Sequence, residues 1–327
     1  MSIRRPVAAR RPMLRFLGRR IAASVVLLFV ASVLIFAGTQ LLPGDAATAV
    51  LGRNATPEAL ADVRAELELD RPVIERYSSW LGGFVSGDLG RSLASRQPVS
   101  DLAGDRFVNS AVLAFLTAVV LFPLAIGLGV LAAVRRGRAV DHAISGLSLT
   151  FIAAPEFVLG TFLALIFAVN LKLVPPVSLL PPGSSPLSEP SLLVLPVATL
   201  VLVGAAYMIR MVRAGMIEAL ASDYVQMARL RGVSERRVVL SHALRNALAP
   251  TVQVAALTLQ WLIGGIVIVE TVFAYPGIGQ GLVQGVVARD IPYVASISMV
   301  LAIVYVAIAT IADLLVVLLI PRLRTAA

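Results

Sequence analysis

Apolar residues in this chain come in long unbroken runs, and the polar residues are gathered between them rather than interleaved. The runs cover residues 21–42, 108–134, 144–170, 192–209, 251–273 and 293–320. A helix needs roughly 20 apolar residues to cross a hydrocarbon core about 30 Å thick. Backbone polar groups inside lipid must be paired within the protein, which leaves helices or closed barrels. The alternating segments of about ten residues that mark a barrel are absent. The pattern therefore predicts an all-α integral membrane protein with six transmembrane helices. The first run is too long for the apolar core of about 7–15 residues in a secretory signal, so it reads as a retained span behind a basic N-terminus, residues 1–20.

The charges orient these spans. Residues 1–20, 135–143, 210–250 and 321–327 hold 19 of the 28 lysines and arginines. The segment 43–107 alone holds ten of the 19 acids. Short basic segments stay on the cytoplasmic side, so both termini are expected inside, with 43–107 outside. Composition agrees: 58% hydrophobic and 14% charged residues, against roughly 25% charged in soluble domains. The net charge of +9 then reports loop topology, not nucleic acid. With no cysteine, disulfides and thiolate metal sites are excluded.

The connecting segments differ in kind. Residues 43–107 are too long for a bare loop. Thr56, Pro57 and Glu58 give a helix-start signal there, so a small helical outer insertion is expected between spans 1 and 2. Residues 171–190 are proline-rich and read as an extended outer loop. Residues 274–291 open with a Pro-Gly turn. They then place Gly277, Gly281 and Gly285 four residues apart, a spacing that lets a short helix pack closely; for Gly277 a simple turn role is an equal alternative.

Within the inner block 210–250 lies "DYVQMARLRGVSERRVVLSHALRNALAP", from Asp223 to Pro250. A helix ending near Arg229 and Arg231 places cations where its dipole favours them. Gly232 suits the left-handed position beyond it. Ser234 is the expected cap of a following helix, with Glu235 in its first turn. Two readings stand: a solvated basic loop that fixes topology, or a docking element for a cytoplasmic partner. The only lysine, Lys172, lies on the outer side, so the chain has no phosphate-binding GxxxxGK[ST] loop. His142 and His242 stand alone, and no metal-ligand grouping is predicted. Trp80 and Trp261 read as packing or interface residues and not as substrate cages.

Acids inside spans are costly and usually face the interior or a watery path. Glu156, after Pro155, falls near the middle of the third run. It is read as attracting a cationic solute group, pairing with a partner subunit, or serving as a structural carboxyl. Glu270 near the outer end of its run is either an interfacial anchor or part of gate packing. Asp313 in the last run is expected to meet a cytoplasmic arginine.

The inner block resembles the Glu-Ala-Ala loop of ABC-importer permeases, and more closely its version in the dipeptide/oligopeptide (and nickel) transport family. Aligned on Gly232, Gln226, Met227 and Ala228 take the Glu-Ala-Ala positions. His242, Ala243, Leu244 and Arg245 stand where the general motif has Ile-x-Leu-Pro. The chain departs from that motif at Gln226, Met227, His242 and Arg245, whereas "DYV..AR..G" and "HALRNAL.P" are similar to the peptide branch. "LLPGD" at 41–45, "LDRPVIERYSSWLGGFVSGDLGRSL" at 69–93, "GGIVIVETVFAYPGIGQGL" at 264–282 and "IADLLVVLLIPRLR" at 311–324 resemble the first permease subunit, apart from Ile320 where the family has a second Asp.

The resemblance implies a type I ABC importer permease fold, with a permease core over 108–327, in a bacterial cytoplasmic membrane. It implies half of a translocation pathway for peptides or similar small solutes, with nickel chelates or glutathione as alternatives and a secondary transporter as the competing class. The chain itself would not be an enzyme and would bind no cofactor; ATP and Mg would sit on two separate ATPase subunits. Further partners implied are a second, paralogous permease and an extracytoplasmic solute-binding protein. The coupling loop would comprise Asp223, Tyr224, Gln226, Ala228, Arg229, Gly232, Ser234, Glu235, Arg236, His242, Leu244, Arg245 and Asn246. The pathway or gate would involve Pro155, Glu156, Glu270 and Asp313.

Overall fold

A computed structural model describes residues 10–40, 56, 64, 71–181 and 183–319 of the chain. Helices dominate, and the described residues contain no strand, only an isolated bridge between Arg91 and Pro98. In chain order they are α1 (Arg10–Gln40), α2 (Val73–Ser86), α3 (Val99–Val134), α4 (Ala139–Ala153), α5 (Glu156–Leu163, continued by a π-helical turn Ala164–Asn170), α6 (Val194–Ala221), α7 (Asp223–Leu230), α8 (Leu244–Val272), α9 (Ile278–Val287) and α10 (Ile291–Leu319). A short helical stretch over residues 235–243 joins α7 to α8. The expected helix start at residues 57–58 and the "LLPGD" motif lie outside the described residues.

Five helices are long and apolar enough to cross a membrane, and α4 with α5 make a sixth span only as a bent pair. This corrects the expectation of a continuous third span. The second leg is bent from the first by 111°, with Ala154 and Pro155 both extended at the corner. Proline has no N–H to continue a helix, and its ring pushes the preceding residue out of the helical region. Glu156 therefore opens a new helix and does not sit in the middle of a straight one.

Other boundaries move as well. Helix α3 begins nine residues before the apolar run, at Val99, so the last residues of the segment 43–107 form its first turns. Helix α6 continues past residue 209 to Ala221, and α8 begins at Leu244. The inner block is thus mostly helix extension around a compact turn. Polar residues end an apolar run without ending the helix that carries them.

Helix α6 is central, with 67% of its apolar stretch buried against 11% for α1. It packs along α3 and α8, and α1 lies outside against α10. Small residues allow the α3–α6 approach: a Cβ on Gly129 would stand 2.7 Å from that of Val212. Close backbone contact between apolar helices is how such bundles gain packing when lipid offers no hydrophobic contrast. Leu121, Ala125, Ala205, Met208 and Val212 form the core of this seam. Helix α1 leaves Val26, Phe29 and Leu34 exposed, as a lipid-facing surface requires. It is fixed at one end by the Arg20–Asp313 ion pair at 2.5 Å, the contact expected for Asp313. At the other it carries Phe36, in a cluster with Tyr77, Trp80 and Phe84.

Candidate functional site

Two polar centres stand out, one at each end of the bundle. At the inner end, α7 closes in the way its sequence predicts. The Gly232 N–H donates to the Arg229 carbonyl (2.9 Å) and the Val233 N–H to that of Ala228 (3.2 Å). With Gly232 at φ +76°, this is the left-handed helix ending that glycine favours. Ser234 occupies the cap position ahead of Glu235, but its side chain makes no capping bond, which corrects that expectation. Glu235 turns back instead: Arg229 Nε and Nη2 donate to its two carboxylate oxygens at 3.1 and 2.6 Å, bridging the turn. The guanidinium holds the Glu235 carboxyl below its ordinary range, and the carboxylate raises Arg229 in return.

One face of α7 anchors it. Val225 and Ala228 are buried with Val238 and Val239 in the same core as α6. The opposite face is bare. Asp223, Gln226, Arg229 and Arg236 are exposed, and so are three apolar side chains, Tyr224, Met227 and Leu230, the last 81% exposed. Leu244 is half-buried against the core, while Arg245 and Asn246 are exposed on the first turn of α8. The Asn246 amide donates to the His242 carbonyl at 3.1 Å.

A neighbouring pair escaped the sequence reading. Asp141, buried in the first turn of α4, accepts two bonds from Arg213 of α6, at 2.6 and 2.8 Å. It also accepts the Gly137 N–H at 2.9 Å. The α3–α4 corner is thereby tied to the central helix. An acid among the arginines of 135–143 was the available signal, but its partner lies 72 residues away.

At the other end, expected to face outward, Glu270 is fully buried within the chain. Its carboxylate accepts the Ser110 hydroxyl of α3 and the N–H groups of Gly279 (2.8 Å) and Gln280 (3.1 Å) in the first turn of α9. A helix N-terminus is well suited to an anion. The weld extends on both sides: Tyr275 Oη donates to the Asn109 carbonyl (2.8 Å), Asn109 Nδ2 to that of Pro276 (2.9 Å), and Arg106 to that of Gly277 (3.2 Å). The glycine spacing has the predicted consequence. A Cβ on Gly277 would strike Glu270, and one on Gly285 would stand 2.7 Å from the Tyr293 ring. A second buried acid, Asp290, accepts the Ser92 hydroxyl and the Leu93 N–H (3.1 Å), holding the segment after α2 onto the start of α10. Ser110, Asn109 and Asp290 were not singled out from sequence.

The candidate pathway residues do not form one group. Pro155 and Glu156 sit at the α4–α5 corner, Glu270 in the outer weld, and Asp313 in the pair with Arg20. Among the described residues no cluster of His, Cys, Asp or Glu could hold a metal.

Residues 125–325 match the family described as binding-protein-dependent transport system inner membrane component, and residues 13–116 match its N-terminal companion. A putative peptide transport system permease protein of Brucella abortus is 36% identical over 306 residues, covering 94% of this chain and 98% of the relative. The glutathione transport system permease protein GsiC of Escherichia coli K12 is 34% identical over 312 residues, covering 95% and 99%. An all-helical bundle with five apolar spans and a bent pair carries these matches along nearly its whole length, and the chain belongs to the binding-protein-dependent permeases, the membrane-spanning subunits of ABC importers of the dipeptide/oligopeptide type.

Proposed function

We propose that the chain forms half of an import pathway for peptides or related small solutes, and that α7 with its Gly232 turn receives motion from a separate ATPase subunit. The observation that carries this is the bare face of α7. Tyr224, Met227 and Leu230 are held out by a helix whose other side is anchored in the core, amid exposed arginines. A merely solvated loop gains nothing from that apolar stripe, whereas a docking surface does. The names of the peptide and glutathione relatives support the solute class. The arginine bias supports placing this face, and both termini, in the cytoplasm.

In this reading two ATPase subunits carry ATP and Mg, a paralogous permease completes the pathway, and a solute-binding protein docks on the outer face. A rigid shift of the ATPase moves the turn, and the turn biases the bundle between two packings. The absence of native cysteine makes the test direct. A single Leu230→Cys thiol in native membranes is expected to crosslink to an ATPase subunit. Leu230→Asp is expected to leave insertion intact and to lower uptake by more than about tenfold, the loss of one buried interface anchor. Crosslinks that never capture an ATPase, or purified chain that moves solute unaided in vesicles, overturn the proposal.

A further inference from the structure

Among the described residues, Glu156 is the one carboxyl with an oxygen that is buried and lacks any hydrogen-bond partner, its Oε2. The fully buried acids described above are all satisfied, Asp141 by Arg213, Glu270 and Asp290 by amides and a serine, whereas Glu156 is half-buried with one oxygen unmet. An unpaired carboxyl in an apolar wall is costly unless something meets it.

Its surroundings suggest what that is. Helix α5 packs on α8, and from α8 the Trp261 side chain interacts with Glu156. Trp261 is held in a slot made by two glycines. A Cβ on Gly204 would lie 2.9 Å from its ring and one on Gly265 3.3 Å away. The same ring lines a cavity of about 330 Å³ with Ile152, Tyr207, Leu257 and Thr258, bounded by α4, α6 and α8. That volume lies within the usual range of small-solute sites, about 300–1,000 Å³. Across the Pro155 corner, Ile152 and Glu156 belong to the two legs of one bent span, and Trp261, which interacts with Glu156 and lines the cavity, links the acid to it. No arginine or lysine among the described residues pairs with it.

We propose that Glu156, Trp261 and Tyr207 form a receiving station for a primary ammonium group on the transported solute. The carboxylate supplies a charge-assisted hydrogen bond. The aromatic rings supply faces that attract a cation where water is scarce. An ammonium group is small enough to enter the cavity and donates in three directions, so it satisfies Oε2 without displacing Trp261. The station rests on the importer reading above and narrows its solute class to amine-bearing molecules.

The test uses the complete transporter with its partner subunits in vesicles, and two probes: the dipeptide Ala-Phe and its N-acetyl derivative. Wild type is expected to favour the free amine by about tenfold or more, the worth of one hydrogen bond to a charged group. Glu156→Gln should bring the ratio of free-amine to acetylated transport down to about one, whatever its effect on the absolute rates, and Glu156→Asp should restore part of the preference. A Glu156→Gln variant that keeps the full preference at normal abundance overturns the station. Equal transport of both probes by wild type also overturns it, while the peptide reading stands. If wild type moves neither probe, the peptide reading falls and carbodiimide modification of Glu156, counted by mass spectrometry as acylurea plus ethylamide together, decides the station alone. Protection of Glu156 by ethylammonium upholds it, and labelling unaffected by ethylammonium overturns it.

Discussion

The two ends of the bundle treat their acids in opposite ways. At the outer end Glu270 and Asp290 are buried and held by backbone N–H groups and serine hydroxyls, with α3, α8, α9 and α10 converging on them. At the inner end Glu235 is exposed and held by a single arginine across a glycine turn, beside the exposed apolar stripe of Tyr224, Met227 and Leu230. Backbone donors cannot move without the fold, so the outer acids lock their helices in place. An exposed arginine pair in water is weak and exchangeable, so the inner turn keeps its shape while its outward face stays free for a partner.

Removing the Glu270 carboxylate should have the largest effect. Glu270→Ala strands two amides and a hydroxyl in a buried site, and stranded buried groups cost about 1–3 kcal/mol each before any water enters. The transporter is expected to lose about 3 kcal/mol or more of stability, seen as a lower Tm in detergent; Glu270→Gln, which can still accept, should lose less. An unchanged Tm would mean the outer end is no weld. Next, Gly232→Val forces a branched side chain into left-handed backbone, at about 1–2 kcal/mol. Because a Cβ added at Gly232 meets nothing within 4 Å, the strain should stay local: insertion and abundance hold, ATP hydrolysis continues, and uptake falls. Normal uptake in that variant would remove the turn from the coupling path.

The smallest effect belongs to the Arg229–Glu235 pair. Its folded-state carboxyl lies below the ordinary value of 4.5, so its contribution is fully present above that value. It is lost as pH falls through the lower, folded one. Hydrogen exchange at the turn should therefore be flat from neutral pH to about 5 and loosen only in more acid solution, by under about 1 kcal/mol. Loosening already near neutrality would contradict the pairing.

What could be read from sequence was local. Gly232 announces a helix ending because its conformation depends on its own missing side chain, and Glu235 follows three residues later. The glycines at 277, 281 and 285 are legible for the same reason. The bend at Pro155 was written in the Ala-Pro pair, yet the apolar run continues through it, and hydropathy does not register a change of direction. Asp141 with Arg213, and Ser110 with Glu270, could not be paired from sequence, because 72 and 160 residues separate them. Only the packing of α4 against α6 and of α3 against α8 makes them neighbours. Glu156 was legible as an anomaly but not as a vacancy in the hydrogen bonding, since that depends on what every other helix fails to bring to it.

The welded end and the lever end share a single member. Helix α8 starts at Leu244, beyond the turn and short helical stretch that follow α7, and reaches Glu270 two residues before its far tip at Val272. Its 29 residues make a rod about 43 Å long at 1.5 Å each. A tilt of a few degrees imposed at the foot would sweep the tip sideways by two or three ångströms, about the length of the bonds that seat Glu270. Pulling that carboxylate off the amides of α9 therefore requires no signal to be relayed from residue to residue, only one stiff strut rocked from below.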